Sequence, residues 1–362
     1  MPKEIKSDYK KCDGCGGNLI FSPSTQGLHC EKCGKEIDFP KKGISEKHPI
    51  EEFSKTQNNL AEWQSQNKVL KCAMCGASIV LNSLEYASNC PYCGSAMLSL
   101  SDELPGIPPD AIIPFAFDEK VAAEKFKNTA KKKLLAPNAF KKKLPTSKIR
   151  GVYIPSFTFD ANTFSVYDGV LEEDYTVTNS KGERVTKTRS FGIRGKKNLT
   201  HKDIMIETSS KINQSQLSQL LPFDHRYTYA FDKNFIRGYV VEHYNEETRE
   251  SYKEAKAVME SNIRSMILKQ YSYDRVRYLN VNTIYSDEKF LYKVCPIYSF
   301  EYTYKNKEYI TLMNGQTGKV GKGMPVSKVK VGFLIAGIIL SVVLIIIIIT
   351  LVQGGVIGQS LS

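Results

Sequence analysis

Four Cys-x-x-Cys-Gly motifs restrict the fold of this chain more than any other feature of its sequence. They form two clusters sixty residues apart, with fourteen residues between the two pairs of each cluster. The cysteines are Cys12, Cys15, Cys30 and Cys33 in the first cluster, and Cys72, Cys75, Cys90 and Cys93 in the second. Four thiolates at this spacing suit a tetrahedral zinc ion, and glycine after each pair suits a turn with positive φ. The sequence therefore predicts two zinc ribbons.

Both predicted sites are closed, because protein thiolates fill all four positions around each ion. That pattern is typical of structural rather than catalytic zinc. Modules this small bury too little apolar surface to fold alone, and zinc binding, worth ~10–16 kcal/mol in comparable peptides, would stabilise them. Two alternatives stay open. Cys90-Pro-Tyr-Cys93 matches the redox pair of glutaredoxins, and four thiolates also accept iron, as in rubredoxins.

Residues 331–352 form an uncharged apolar segment that predicts one membrane-spanning helix. At ~1.5 Å per residue it would extend about 33 Å, enough to cross a hydrocarbon core of ~30 Å. No apolar secretory signal begins the chain, so we expect the cysteines in a reducing cytosol. The lysines that precede the segment are Lys319, Lys322, Lys328 and Lys330, whereas residues 353–362 carry no charged side chain. The positive-inside rule predicts a single-pass, tail-anchored cell-membrane protein with cytoplasmic N-terminal domains.

The order of patterns along the chain predicts an α+β fold with a β-rich middle domain. The predicted divisions are zinc ribbon 1 at 1–45, a helical linker at 46–70, zinc ribbon 2 at 71–100, a hinge and basic helix at 101–148, an α+β domain with a weak internal repeat at 149–325, a transmembrane helix at 331–352 and a short extracytoplasmic tail at 353–362. In the linker, Trp63 is expected to pack between the ribbons. Periodicity predicts helices at 118–135 and 246–270, and Asn314-Gly315 predicts a two-residue hairpin.

The sequence lacks two motifs that are common in enzymes. The chain has no Gly-x-x-x-x-Gly-Lys-[Ser/Thr] loop for a nucleotide and no His-Glu-x-x-His frame for a catalytic metal. Cys295 stands alone in a predicted strand, where a small core residue is expected rather than a nucleophile. We therefore expect a protein without catalytic residues and without a nucleotide cofactor.

A formal net charge of +12 suits an anionic partner, either nucleic acid or an anionic membrane surface. The lysine runs at 131–133 and 141–143 fit a solvated helix surface or such a binding patch, and no Arg/aromatic interleaving favours nucleic acid. The first functional hypothesis is a membrane-anchored zinc-ribbon adaptor that docks protein partners and contacts lipid through its last helix. The alternative is a membrane-associated nucleic-acid-binding protein of replication or transcription.

The complete architecture resembles a family of bacterial single-pass zinc-ribbon membrane proteins, often labelled TFIIB-type zinc ribbon-containing or primosomal protein N-prime-like. The motifs that carry the resemblance are the Cys-x-x-Cys-Gly pairs, the Tyr-x-Pro opening at Tyr153, and Asn314-Gly315-Gln316-Thr317-Gly318. It implies an association with membrane-stress proteins of the phage-shock and flotillin-like kind. A helicase activity is not implied, because the ATP-binding motif is missing.

Overall fold

Three very long antiparallel strands form the frame of this mixed α+β chain. The computed structural model describes residues 11–43, 47–52, 67–74, 78–82, 98–101, 109–142, 148–209, 212, 214–242 and 248–359. The strands there are β1 (Leu19–Ser22), β2 (Gly27–Cys30), β3 (Glu36–Ile37), β4 (His48–Pro49), β5 (Asn67–Cys72), β6 (Ser78–Asn82), β7 (Leu98–Ser101), β8 (Ala111–Ile112), β9 (Lys148–Thr178), β10 (Arg184–Glu207), β11 (Tyr229–Ala230), β12 (Val240–Glu242), β13 (Arg275–Tyr304) and β14 (Lys307–Asn314). The α-helices are α1 (Glu119–Lys132), α2 (Asn138–Lys142), α3 (Gln214–Leu220), α4 (Thr248–Leu268) and α5 (Lys328–Gln359).

Strand β9 lies between β10 and β13. Strand β9 has 31 residues, β10 has 24 and β13 has 30. At ~3.3 Å per residue, β9 has a contour length of about 100 Å. Register shifts between His201 and Ile204 and between Ser286 and Lys289 interrupt both pairings at the same level of β9. They divide the sheet into a base (residues 148–159, 204–207 and 289–304) and an arm (residues 160–201 and 275–286).

The base is buried on both faces. Every residue from 151 to 159 is buried, and so is every residue from 290 to 300. Phe157 stacks on Tyr292 with ring centroids 5.0 Å apart, and Phe115 lies 5.0 Å from Tyr153 and 4.7 Å from Tyr298. This differs from the half-buried strands that alternating aromatic residues usually indicate. Helix α1 and the first predicted ribbon pack on one face of the base, and α3 packs on the other.

Two prolines lie inside these long strands, at places where the neighbouring strand on one side has ended. The carbonyl of Pro155 accepts from the N–H of Thr208, one residue past the end of β10. The carbonyl of Pro296 accepts from the N–H of Gly315, one residue past the end of β14. The missing proline N–H groups therefore interrupt no ladder, although both prolines lie inside long strands and not at a strand start or a sheet edge.

Only one face of the arm is covered in the described structure, and helix α4 covers it. Ile263 and Ile267 of α4 pack in one cluster with Tyr167, Leu171 and Ile193 of the arm. Such one-sided cover gives the alternating burial of β10. On the opposite face the large side chains are exposed: Phe164, Val166, Tyr278 and Ile284.

The first predicted ribbon contains β1, β2 and β3, which form a three-stranded antiparallel sheet. Its apolar side packs on the loop between β11 and β12, which in turn contacts the base through a hydrogen bond from the Tyr153 hydroxyl to the carbonyl of Phe235. Phe21 contacts Phe39 and Phe235 with ring centroids 6.4 Å and 5.4 Å away, and its N–H donates to the carbonyl of Arg237 at 2.9 Å. The ribbon therefore shares a hydrophobic core with the long strands.

The described part of the second predicted ribbon repeats the pairing of the first after sixty residues. In the first, Lys11 and Asn18 form an antiparallel bridge just before Cys12 and β1. In the second, Lys71 pairs with Ser78 in the same way, between β5 and β6. Strand β6 also pairs with β12, which joins this unit to β9. Trp63, predicted between the ribbons, lies outside the described residues.

Helix α1 confirms the predicted basic helix and ends three residues earlier than expected. The Asp118 side chain accepts from the N–H of Val121 and caps its first turn. Ala122, Phe126 and Ala130, which recur every four residues, form a buried apolar stripe on this helix. Helix α4 is described from Thr248, and its predicted start at Glu246 lies outside the described residues.

The predicted two-residue turn at Asn314-Gly315 is wrong, although the chain does reverse there and Met313 and Val320 form an antiparallel bridge. A two-residue hairpin turn lies instead at Lys305 and Asn306, between β13 and β14, where both residues have positive φ. Asn314 closes a wider loop, in which its side-chain oxygen accepts from the N–H groups of Gln316 and Thr317. The polar side chain of Asn314 therefore organises a loop through local hydrogen bonds.

Candidate metal centre and membrane helix

The four cysteines of the first cluster converge on one point. Cys12 and Cys15 precede β1, whereas Cys30 ends β2 and Cys33 follows it. The Sγ atoms of Cys12 and Cys33 are 3.7 Å apart, those of Cys15 and Cys30 are 3.5 Å apart, and all four lie within 4.8 Å of one another. A tetrahedron with Zn–S bonds of ~2.3 Å has S···S edges of about 3.8 Å. The cluster therefore has the dimensions of a four-thiolate metal site.

The glycines after the two cysteine pairs shape matching turns. Gly16 has φ +66° and donates its N–H to the carbonyl of Cys12 at 2.8 Å. Gly34 has φ +75° and donates in the same way to the carbonyl of Cys30 at 2.9 Å. Because a side chain is strained at positive φ, both positions favour glycine, as the motif predicted.

Gly17 is a further requirement of the site, and the sequence motif did not single it out. A Cβ at this position would lie 2.9 Å from the Sγ of Cys30 and 3.3 Å from the Sγ of Cys15. It would also lie 2.9 Å from the Cβ of Lys32. The backbone at Gly17 therefore closes one side of the sulfur cluster. A second glycine directly after Cys-x-x-Cys-Gly was the available signal in the sequence.

The electrostatics of the cluster favour a bound cation. Hydrogen bonds from the backbone amides of Cys33 and Lys32 lower the pKa of Cys30 to about 6. The backbone amide of Lys35 lowers the pKa of Cys33, but the thiols of Cys15 and Cys30 outweigh it and raise that pKa to about 12. Crowded sulfurs cannot all ionise without a positive charge among them, and a divalent ion supplies that charge. An ion pair of 2.7 Å between Lys35 and Asp13 adds a side-chain cation nearby.

The cluster is fastened to the protein core. Cys12 and Cys30 are buried in the same apolar cluster as Leu19, Phe21 and Leu28. A metal held there would tie both turns of the ribbon to residues that also contact the base. Four thiolates use every position of a tetrahedral ion, so the chemistry of this donor set is structural.

Of the second cysteine cluster, the structure describes one member. Cys72 ends β5 and is buried. The other three cysteines, Cys75, Cys90 and Cys93, lie outside the described residues. The second metal site therefore remains a prediction, supported by the repeated strand pairing around Cys72. Cys295, by contrast, is fully buried in the base, where burial raises the pKa of its thiol to about 12, as expected of a core residue.

An ion cluster around one buried lysine lies between the base and the arm, and no motif predicted it. The Nζ of Lys293, 1% exposed, lies 3.1 Å from Nδ1 of His225 and 3.5 Å from Oδ1 of Asp203. Lys47 binds Asp160 at 2.6 Å and Asp203 at 3.0 Å. Burial lowers the pKa of both Lys293 and His225. Although burial alone would raise it, the surrounding cations lower the pKa of Asp203.

This ion cluster joins segments that are distant in sequence. Asp203 has φ +53° and lies in the register shift that ends the arm. Lys47 belongs to the segment that follows the first ribbon, and Lys293 belongs to the base. The arrangement connects the segment at Lys47 to the base and the arm through charge. It could not be predicted because its members have no regular spacing.

One helix among the described residues is long and apolar enough to span a membrane. It is the part of α5 from Lys328 to Ile349, with a mean hydropathy of 3.3 and none of its most apolar stretch buried. Its side chains face outward on all sides, with Phe333 75% and Leu340 71% exposed. A helix that is apolar all round and packs on nothing is typical of a membrane span. This agrees with the predicted single-pass anchor.

Comparisons with known proteins find a relative that is similar over almost the whole chain. No family model matches the chain, and no solved structure matches it. A protein of Bacillus subtilis (strain 168), described as uncharacterized protein YdjG, is 28% identical over 353 residues. The similarity covers 95% of this chain and 98% of the relative. The resemblance to TFIIB-type zinc-ribbon proteins therefore remains a prediction from the sequence.

Proposed function

We propose that this chain is a membrane-anchored cytoplasmic adaptor, stabilised by two structural zinc ions, that holds protein partners at the bilayer surface. The observation that carries the proposal is a closed four-thiolate cluster in a folded body whose last helix is apolar and uncovered. A closed site stabilises structure, and an apolar helix fixes that structure at a membrane. Both features serve position and rigidity rather than chemistry.

Zinc is the proposed ion for both clusters. In a reducing compartment the thiolates stay available, and tetrahedral sulfur sites commonly hold zinc. The first site has the required dimensions, and the second is proposed for Cys72, Cys75, Cys90 and Cys93 because the strands around Cys72 repeat the first pairing. Iron is the competing ion for the same donor set.

The proposed orientation places the body of the protein in the cytoplasm. Lys322, Lys328 and Lys330 lie immediately before the apolar segment, whereas the ten residues after it carry no charged side chain. An excess of lysine on one side of a span keeps that side cytoplasmic.

The uncovered face of the arm is the proposed partner surface. Phe164, Val166 and Ile284 are exposed there, with Ile284 68% exposed. Arg194 and Lys196 of β10 pair with Asp168 and Val166, and thus border the same face. An apolar strip bordered by these cations and by Asp168 fits a protein partner that presents apolar side chains flanked by charged groups.

Affinity capture of the full-length protein from detergent-solubilised membranes tests this function. The variant Ile284→Glu places a charge in the apolar strip, whereas Ile310→Glu changes a similarly exposed residue, 58% exposed, on β14 and serves as the matched control. The adaptor proposal predicts that proteins co-purifying with wild type are retained by Ile310→Glu and lost with Ile284→Glu. Identical sets of co-purifying proteins in all three samples would contradict the proposal.

Nucleic-acid binding at the membrane is the second candidate function. The net charge of +12 favours it, and so does the exposed basic edge strand β10, with Arg194 and Lys196. Phosphate contacts would make the affinity fall steeply with salt concentration. A gel-shift titration of the full-length protein in detergent tests it, and the absence of any shift at low salt would exclude it.

A further inference from the structure

The loop between α1 and α2 is fastened to the first turn of α5. The N–H of Ser327 donates to the carbonyl of Leu135 at 2.8 Å. The ammonium of Lys330 donates at 2.8–3.2 Å to three oxygens of the loop: the carbonyls of Leu134 and Ala136 and the side chain of Asn138. Lys330 directly precedes the apolar segment. If α5 crosses a bilayer, these bonds hold the loop at the level of the lipid headgroups.

The chain segments that form this attachment carry only basic charges. Neither residues 125–159 nor residues 309–359 contain any Asp or Glu. Exposed lysines come from α1, from α2 and from the start of α5: Lys131, Lys132, Lys133, Lys142 and Lys328. A cluster of four to eight basic residues beside a membrane span is typical of anionic-lipid recognition.

An apolar side chain stands in the middle of these lysines. Leu134 is 84% exposed, more than any other large apolar side chain in the described residues. Its backbone is fixed, because its carbonyl accepts from Lys330. An exposed leucine flanked by cations is unfavourable in water and favourable where headgroups meet acyl chains.

We propose that residues 131–142 form a second membrane contact, in which Leu134 inserts among the acyl chains and the surrounding lysines bind anionic lipid headgroups. The inference rests on α5 crossing the bilayer, as proposed above. Two contacts, one spanning and one interfacial, would fix the rotation and tilt of the body. Phe126 and Phe140 pack on Phe300 and Tyr302 of β13 and connect the loop to the base. The arm would then extend from a defined position on the membrane.

Tryptophan fluorescence in proteoliposomes tests the contact. Trp63 is the only tryptophan, so Trp63→Phe provides a background for a single reporter. The full-length variant Leu134→Trp is reconstituted into vesicles of phosphatidylglycerol and phosphatidylcholine, the latter brominated near the headgroup end of its acyl chains. Ile284→Trp, at an exposed position of the arm, is the matched control. Ile284 lies 18 residues along β13 from Tyr302, about 60 Å of strand.

The proposal predicts a blue-shifted emission and several-fold stronger quenching for Leu134→Trp than for Ile284→Trp. It also predicts that the quenching falls when Lys131, Lys132 and Lys142 are replaced by Gln, and in vesicles of phosphatidylcholine alone. Equal quenching of the two reporters, in protein that resists alkaline extraction, would overturn this contact and leave the anchor intact. Quenching without dependence on anionic lipid would overturn headgroup binding. Protein released by alkaline extraction would overturn the anchor and the contact together.

Discussion

Replacing Gly17 by Ala tests whether the sulfur cluster has the compact geometry of a metal site. The added methyl group would stand 2.9 Å from the Sγ of Cys30 and 3.3 Å from the Sγ of Cys15. The Cβ of Lys32 would also be 2.9 Å from the added methyl group, so the methyl group has close contacts besides the sulfur atoms. Overpacking of this kind costs about 1–3 kcal/mol. If the cost is relieved by opening the cluster, the metal affinity falls by about 5- to 150-fold, at 1.4 kcal/mol for each factor of ten.

The assay is competition for zinc between the full-length protein in detergent and a chromogenic chelator. Gly14→Ala is the matched control, because its added methyl group would be 3.9 Å from the Sγ of Cys12, an ordinary contact. Cobalt substitution gives a second readout, since a tetrahedral four-thiolate site has intense visible absorption. Any contribution of the second cluster is the same in both variants.

The expected result is a weaker zinc affinity for Gly17→Ala than for Gly14→Ala, together with an altered cobalt spectrum. Equal affinities and equal spectra in the two variants would refute the argument. The sulfur atoms would then not enclose an ion in the arrangement described.

Three further predictions concern the core, the ion cluster and the anchor. Phe126→Ala removes a ring stacked 4.3 Å from Phe300 and should lower the free energy of unfolding by about 3–5 kcal/mol. Val121→Ala, on the exposed side of α1, should lower it far less. Equal denaturant midpoints for the two variants would contradict this. Asp203→Asn leaves buried Lys293 without its carboxylate and should cost about 3 kcal/mol near neutral pH. The pKa of Lys293 is lowered in the folded protein, so at alkaline pH the unfolded chain binds more protons than the folded chain. The free energy of unfolding of this variant should therefore rise with pH. A urea-unfolding free energy that stays constant or falls with pH would contradict this. Truncation after Ser327 should release the protein from membranes into the alkaline-soluble fraction, and continued sedimentation with membranes would contradict the anchor.

Local patterns in the sequence predicted local structure well. The cysteine spacing correctly predicted that Cys12, Cys15, Cys30 and Cys33 lie together. One pair precedes β1 and the other lies at the end of β2, so the β1–β2 hairpin alone brings the four thiols close to one another. The stripe of α1 and the apolar character of α5 also follow from spacing within one helix. In each case the residues that determine the structure lie close together in the sequence.

Features set by distant partners were not predictable in the same way. The hairpin turn at Lys305-Asn306 carries no glycine, whereas Asn314-Gly315 has the usual turn residues and makes a wider loop. The base is buried on both faces because β1 and α1 pack on one face and α3 packs on the other, and all three come from other parts of the chain. Lys293 illustrates the limit, since a lysine inside an aromatic strand gives no sign that His225 and Asp203 will lie beside it.

Metal analysis of the purified full-length protein tests the central claim most directly. The account predicts two zinc ions per chain in wild type and one in a variant with Cys12 and Cys30 replaced by Ser, with the lost ion traced to the cluster between β1 and β2. Wild-type protein that is folded, reduced and free of both zinc and iron would contradict it.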